Sequence, residues 1–173
     1  IVPRGIGTLG YAQYLPKEEY ITRTEQLLDR MCMTFGGRAA ERIVFDEIST
    51  GAQNDLDQVT KMAYSMIAIF GMNEKVGNVS FYGLSQDQFN KPYSDETAAM
   101  IDAEVRKLVE VQYKRAQDLL IEQRDKLEIL ANALLEKETL NGQDIAEIMA
   151  SGKETAPGEE STPEETATDQ AGS

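Results

Sequence analysis

The run TRTEQLLDRMCMTFGGRAAERIV, residues 22–44, places the adjacent pair Leu27 and Leu28 and then Met31, Phe35, Ala39 and Ile43 at steps of three or four. That spacing stacks side chains along one face of an α-helix. Thr22 with Glu25 three residues later predicts a capping box at its start, and the pattern continues to about Val44. Gly36-Gly37 interrupts it at a cost of about 1 kcal/mol per glycine relative to alanine. Two outcomes are open there: the helix breaks into two, or a neighbour packs closely against the bare backbone.

Downstream, a hydroxyl within Ser49-Thr50-Gly51 can cap a second helix, whose stripe Leu56, Val59, Ala63, Met66 and Phe70 steps by three and four. Gly71 is its natural terminator. Between Asn73 and Tyr93 the pattern is irregular, with Gly77, Gly83 and Pro92 around Val79-Ser80-Phe81-Tyr82, and reads as loop with room for one strand. Ser94 caps a long helix through Ile101, Val105, Leu108, Gln112 and Leu119 to about Glu122. Leu127, Leu130, Ala131, Leu134 and Leu135 form another stripe, and Asn141 caps a last short helix with Ile145, Ile148 and Met149.

Upstream, Leu9, Tyr11, Gln13 and Leu15 alternate with Gly10, Ala12 and Tyr14, the period of a strand, which Pro16 ends. The start at Ile1-Val2-Pro3 reads as the interior of a strand, so these residues are expected to come from within a longer polypeptide. The fold expected is mainly α: a helical bundle with a small β element, an edge strand near the N-terminus.

The 173 residues, 41% hydrophobic and 27% charged, suit one compact domain over 1–150. Residues 151–173 carry one lysine, Lys153, against six carboxylates, and are rich in Thr, Pro and Gly. Such a tail buries too little apolar surface to offset the entropy of ordering, so it is expected to be disordered. A net charge of −13 with no basic stripe argues against nucleic acid as a partner. No run of about eighteen apolar residues, the length a bilayer span needs, occurs. The single cysteine, Cys32, sits among Met31, Met33 and Phe35 and reads as a core thiol.

The sequence contains no histidine, so neither a Ser-His-Asp nor a Cys-His arrangement can be assembled from these residues. Gly5-Ile6-Gly7-Thr8-Leu9-Gly10 has the spacing G-x-G-x-x-G but leads into a strand, the reverse of a dinucleotide fingerprint, and there is no G-x-x-x-x-G-K-[ST] loop. Most carboxylates, including Asp102, Glu104, Glu110 and Asp118, read as solvated helix faces. Glu41 follows the double glycine in an Ala-Ala-Glu-Arg-Ile-Val run. Asp55 lies in the first turn of the second helix, where the helix dipole favours an anion and is reason enough for a carboxylate. Neither makes a metal site alone.

Four segments read together say more: Val2-Pro3-Arg4-Gly5 with Leu9-Gly10-Tyr11-Ala12; Met33-Thr34-Phe35-Gly36-Gly37-Arg38-Ala39-Ala40-Glu41; Ser49-Thr50-Gly51-Ala52-Gln53-Asn54-Asp55-Leu56; and Phe70-Gly71-Met72. From Ile1 to about Met149 the chain resembles the FtsH-type AAA ATP-dependent zinc metalloproteases, with G-G-R-A-A-E and T-G-A-x-N-D as the most specific matches. The resemblance implies a zinc peptidase in which two histidines of an H-E-x-x-H helix and a later aspartate hold the metal and the intervening glutamate is the general base.

By position that aspartate is Asp55. Glu41 matches a glutamate near the metal, placed to hydrogen-bond and orient a zinc-binding histidine. The strand Gly10, Tyr11, Ala12 and Gln13 would be the edge onto which an extended polypeptide substrate adds. The H-E-x-x-H segment is expected a short distance before Ile1, with ATP and magnesium bound by an ATPase module also outside these residues. These residues alone are therefore expected to be inactive. The parent implied is a homohexamer anchored in a bacterial inner membrane through N-terminal helices, peptidase domain facing the cytoplasm, that degrades misfolded or regulatory membrane and soluble proteins. An organellar inner membrane is the alternative location, and a catalytically inactive scaffold subunit the alternative role. Arg42 and Asp46 depart from the family pattern, which more often has an acidic residue and a glycine there.

Overall fold

The computed structural model describes residues 21–81 and 93–151. Their regular structure is α-helical: α1 (Thr24–Thr34), α2 (Gly36–Phe45), α3 (Gln53–Tyr64), α4 (Asp95–Glu122), α5 (Arg124–Lys137) and α6 (Gly142–Ser151), with a 3₁₀ turn at Thr50–Ala52 and a π turn at Ser65–Ile69. The mainly α expectation holds for these residues. The N-terminal edge strand, the segment 82–92 and the tail beyond Ser151 lie outside them.

At the double glycine the helix breaks, and it does so almost without loss of hydrogen bonds. Phe35, between α1 and α2, donates its N–H to the Met31 carbonyl at 3.1 Å and accepts from Ala39 N–H at 2.9 Å. A Cβ built on Gly36 or Gly37 meets nothing within 4 Å, so among the described residues no neighbour packs closely against the bare backbone. Phe35 itself turns into the core, tilted against the Tyr113 ring at 5.3 Å between centroids, an arrangement that aromatic quadrupoles favour.

The predicted capping box shifts by one residue: Arg23 precedes α1 and its N–H is accepted by Gln26 Oε1 at 2.7 Å. Two other caps, at Ser94 and Asn141, fall where expected, while Ser49 caps the 3₁₀ turn that leads into α3 and α3 itself has no side-chain cap. Ser94 Oγ accepts from Thr97 N–H at 3.2 Å, Ser49 Oγ from Gly51 N–H at 3.2 Å, and Asn141 Oδ1 from the N–H groups of Gln143 and Asp144 at 2.7 and 3.1 Å. Gly71 takes the left-handed conformation, φ +64°, that ends the π turn, and Met72 N–H returns to the Met66 carbonyl at 2.8 Å. Asp46 ends α2 at φ +53°, and this explains why the position suits the glycine of the family pattern.

The core joins Met31, Cys32, Phe35 and Ala39 of the first two helices and their link to Val59, Ala63, Met66 and Ile67 and to Ile101, Val105 and Ala116 of α4. Cys32 is buried there, and burial pushes its thiol up from its ordinary value, partly offset by Arg115. Phe70, placed in the stripe by spacing, is instead 56% exposed. The π turn inserts an extra residue per turn after Tyr64 and rotates the residues beyond it out of register with the α-helical count. Val79 to Phe81 form no strand; Phe81 N–H is accepted by the Ala68 carbonyl at 2.9 Å, and its ring meets Tyr93 edge-on at 4.8 Å.

Candidate metal centre

Asp55 occupies the third position of α3. It is half-buried, and no described residue hydrogen-bonds or pairs with its carboxylate. An oxygen donor of this kind, fixed at a helix start, is one of the ligand types that zinc accepts. It fits one position of a tetrahedral site, and the described residues contain no group of three or more candidate ligands.

Glu41, half-buried on α2, does not point to open space. Its Oε1 accepts from Ser49 Oγ at 2.7 Å and its Oε2 from Ser49 N–H at 3.1 Å. Those two bonds, the hydroxyl one above all, hold the Glu41 carboxyl below the usual carboxylate range. Each oxygen keeps a second lone pair, so the clamp leaves room for the histidine contact expected of Glu41. In the sequence Ser49 reads only as a cap; its bond to Glu41, eight residues earlier, depends on the left-handed bend at Asp46 returning the chain. The edge-strand residues Gly10, Tyr11, Ala12 and Gln13 lie outside the described residues.

Two carboxylates read as solvated are engaged instead. Glu104 is 7% exposed and accepts from Asn73 Nδ2 at 3.0 Å and from Lys75 Nζ, which together lower its pKa, with the lysine the larger cause. Asn73 Oδ1 in turn accepts from the N–H groups of Lys75 and Val76, so the loop after Gly71 is tied to α4. A signal for this exists in the sequence: Glu104 falls between Ile101, Val105 and Leu108 on the buried stripe. Asp102 accepts from Tyr64 Oη at 2.7 Å, which raises the tyrosine pKa. Asp118 is solvated as expected, in an exposed pair with Lys114.

The described residues form a helical body that presents Asp55, within T-G-A-x-N-D, without a partner among them, and comparison with known proteins gives the chain a family. The chain belongs to peptidase family M41, which it matches over residues 1–148. It is 56% identical over 154 residues to the ATP-dependent zinc metalloprotease FtsH of Rhodothermus marinus, covering 86% of this chain and 22% of that protein. Identity is 54% over 151 residues to the mitochondrial inner membrane m-AAA protease component AFG3L2 of Mus musculus (86% and 19%). It is 51% over 150 residues to the ATP-dependent zinc metalloprotease FtsH of Parabacteroides distasonis (86% and 22%). The chain thus spans about a fifth of the length of these relatives.

Proposed function

We propose that this chain is the C-terminal part of the peptidase domain of an ATP-dependent, membrane-anchored zinc metalloendopeptidase that degrades misfolded or regulatory membrane and soluble proteins as a homohexamer. The observation that carries the reading is Asp55: a half-buried carboxylate at a helix start, without a partner among the described residues, within the motif where the family resemblance puts its third zinc ligand. The remaining ligands and the general-base glutamate come from residues outside these 173. A bound zinc supplies Lewis-acid chemistry, polarising a peptide carbonyl and lowering the pKa of water.

Within this chain, Asp55 holds the metal from the α3 side, and Glu41 orients a histidine ligand. The segment Gly10, Tyr11, Ala12 and Gln13 receives an extended polypeptide by strand addition, which binds main chain and selects weakly among side chains. ATP and magnesium belong to a separate module. Among the described residues no helix is long and apolar enough to cross a membrane; the proposed anchor is a set of N-terminal helices outside these residues. A bacterial inner membrane, with the peptidase domain in the cytoplasm, is the proposed site of action; the names of the relatives also admit an organellar inner membrane.

In the full-length protein, Asp55→Asn is expected to abolish stoichiometric zinc and casein degradation while ATP hydrolysis continues. Zinc measured by atomic emission at one per subunit in the Asp55→Asn protein would remove Asp55 from the ligand set. A wild-type protein that hydrolyses ATP yet neither holds zinc nor cleaves casein would be the scaffold subunit.

A further inference from the structure

We infer that Ser49 is a positioning residue for the metal centre, joining Glu41 to the helix start that presents Asp55; this rests on the reading of Asp55 as a zinc ligand. The residue before α3, Ala52, has no side-chain oxygen and makes no side-chain cap bond. Helix starts leave backbone N–H groups unpaired and fray when no cap holds them. Here the holding group stands three residues upstream of Ala52: Ser49 Oγ accepts from Gly51 N–H at 3.2 Å, within the 3₁₀ turn that runs into α3.

That hydroxyl is itself fixed. It donates to Glu41 Oε1 at 2.7 Å while the Ser49 backbone N–H donates to Oε2 at 3.1 Å, so one carboxylate grips both donors of one residue. Buried Ala52 anchors the turn from below. Gly51 completes the fit, since a Cβ there would stand 3.2 Å from Ser49 Oγ. The result is a chain of contacts from α2 through Glu41, Ser49 and the Gly51 amide to the first turn of α3, where Asp55 sits. Loss of the hydroxyl frees one Glu41 oxygen and the Gly51 amide together, and the 3₁₀ turn that leads into the Asp55 turn of α3 loses its side-chain cap.

Ser49 separates this role from the one proposed for Glu41. Any change at Glu41 disturbs both its grip on the turn and its contact with a histidine, whereas the Ser49 side chain, among the described residues, bonds only to Glu41 and Gly51. The test uses the full-length protein, with zinc itself as the probe, titrated against a chromogenic chelator. Ser49→Ala is expected to weaken zinc affinity about 10- to 100-fold, the usual range for groups supporting a ligand, with the melting transition of the zinc-free protein still cooperative and lowered by no more than the loss of one cap, and ATP hydrolysis unchanged. Ser49→Thr, which restores the hydroxyl, is expected to restore wild-type affinity.

Wild-type zinc affinity in Ser49→Ala, or a threonine that fails to rescue, overturns the inference. So does a loss of zinc that comes with a collapsed melting transition. Asp55→Asn measured alongside tells the failures apart: if it loses zinc while Ser49→Ala does not, only the role of Ser49 falls. If Asp55→Asn keeps its zinc, the ligand assignment falls with it.

Discussion

Helices α1 and α5 carry apolar stripes of the same helical spacing, and they meet different surroundings. Met31 and Cys32 of α1 are buried, as is Phe35 at its end, because α3 and α4 both pack over that face. On α5 no residue is fully buried: Leu127, Leu130 and Leu134 are half-covered, Ala131 is exposed, and Leu135 is 81% exposed. The two helices share a periodicity but not a number of neighbours. Spacing reports which side chains lie on one face; it carries no count of the helices that will cover that face.

The sharpest way to break this contrast is to empty the covered stripe. Phe35→Ala removes a ring that α1, α2 and Tyr113 enclose, and is expected to cost about 3–5 kcal/mol, the range for a buried phenylalanine. Urea unfolding followed by circular dichroism measures it; a loss under about 1 kcal/mol would mean that the core collapses readily around the gap.

A smaller and pH-dependent effect is expected where α4 holds the loop after Gly71. The folded pKa of Glu104 is lowered by Lys75 and Asn73. Its contribution is therefore fully present above the unfolded carboxylate value, about 4.3, and is lost as pH falls through the lower folded value. Amide exchange at Val76, whose N–H is held by Asn73, should accelerate over that interval in the wild type. Glu104→Gln should exchange faster at neutral pH and lose the pH step; a variant that keeps the step would assign it to another group.

The least effect is expected on the uncovered stripe, where Leu135→Gln should change stability by less than about 0.5 kcal/mol. A larger loss in the full-length protein than in these 173 residues would show that some other part of the polypeptide covers α5.

Much of the fold is legible in the sequence because its signals are local. The caps at Ser94 and Asn141, the stop at Gly71 and the extent of α4 rest on residues within one turn of each other. The burial of Glu104 is legible in principle, since a carboxylate on an apolar stripe needs a partner, but that partner, Lys75, lies 29 residues away. Ser49 reads as a cap and not as the partner of Glu41 for the same reason: the bond depends on how the chain bends at Asp46. Asp55 stands out by its motif and not by its local chemistry, for one acid at a helix start is ordinary.

The π turn at Ser65–Ile69 can be put in terms of chain length. Such a turn behaves as one residue added to a helix without lengthening its axis in proportion, and the structure absorbs the surplus as a bulge. Met66 and Ile67 within it are both buried, while Phe70 beyond it is carried to the surface. Deleting a single residue here would turn the bulge into regular α-helix of nearly the same length and leave Phe70 and the Gly71 stop facing as they do now, whereas inserting one into regular helix would turn them by about a hundred degrees, the angular step of an α-helix. This stretch therefore absorbs the loss of one residue, and a one-residue gap at this point in a homologous sequence signals a helix without the bulge and with the same connection to the loop after Gly71.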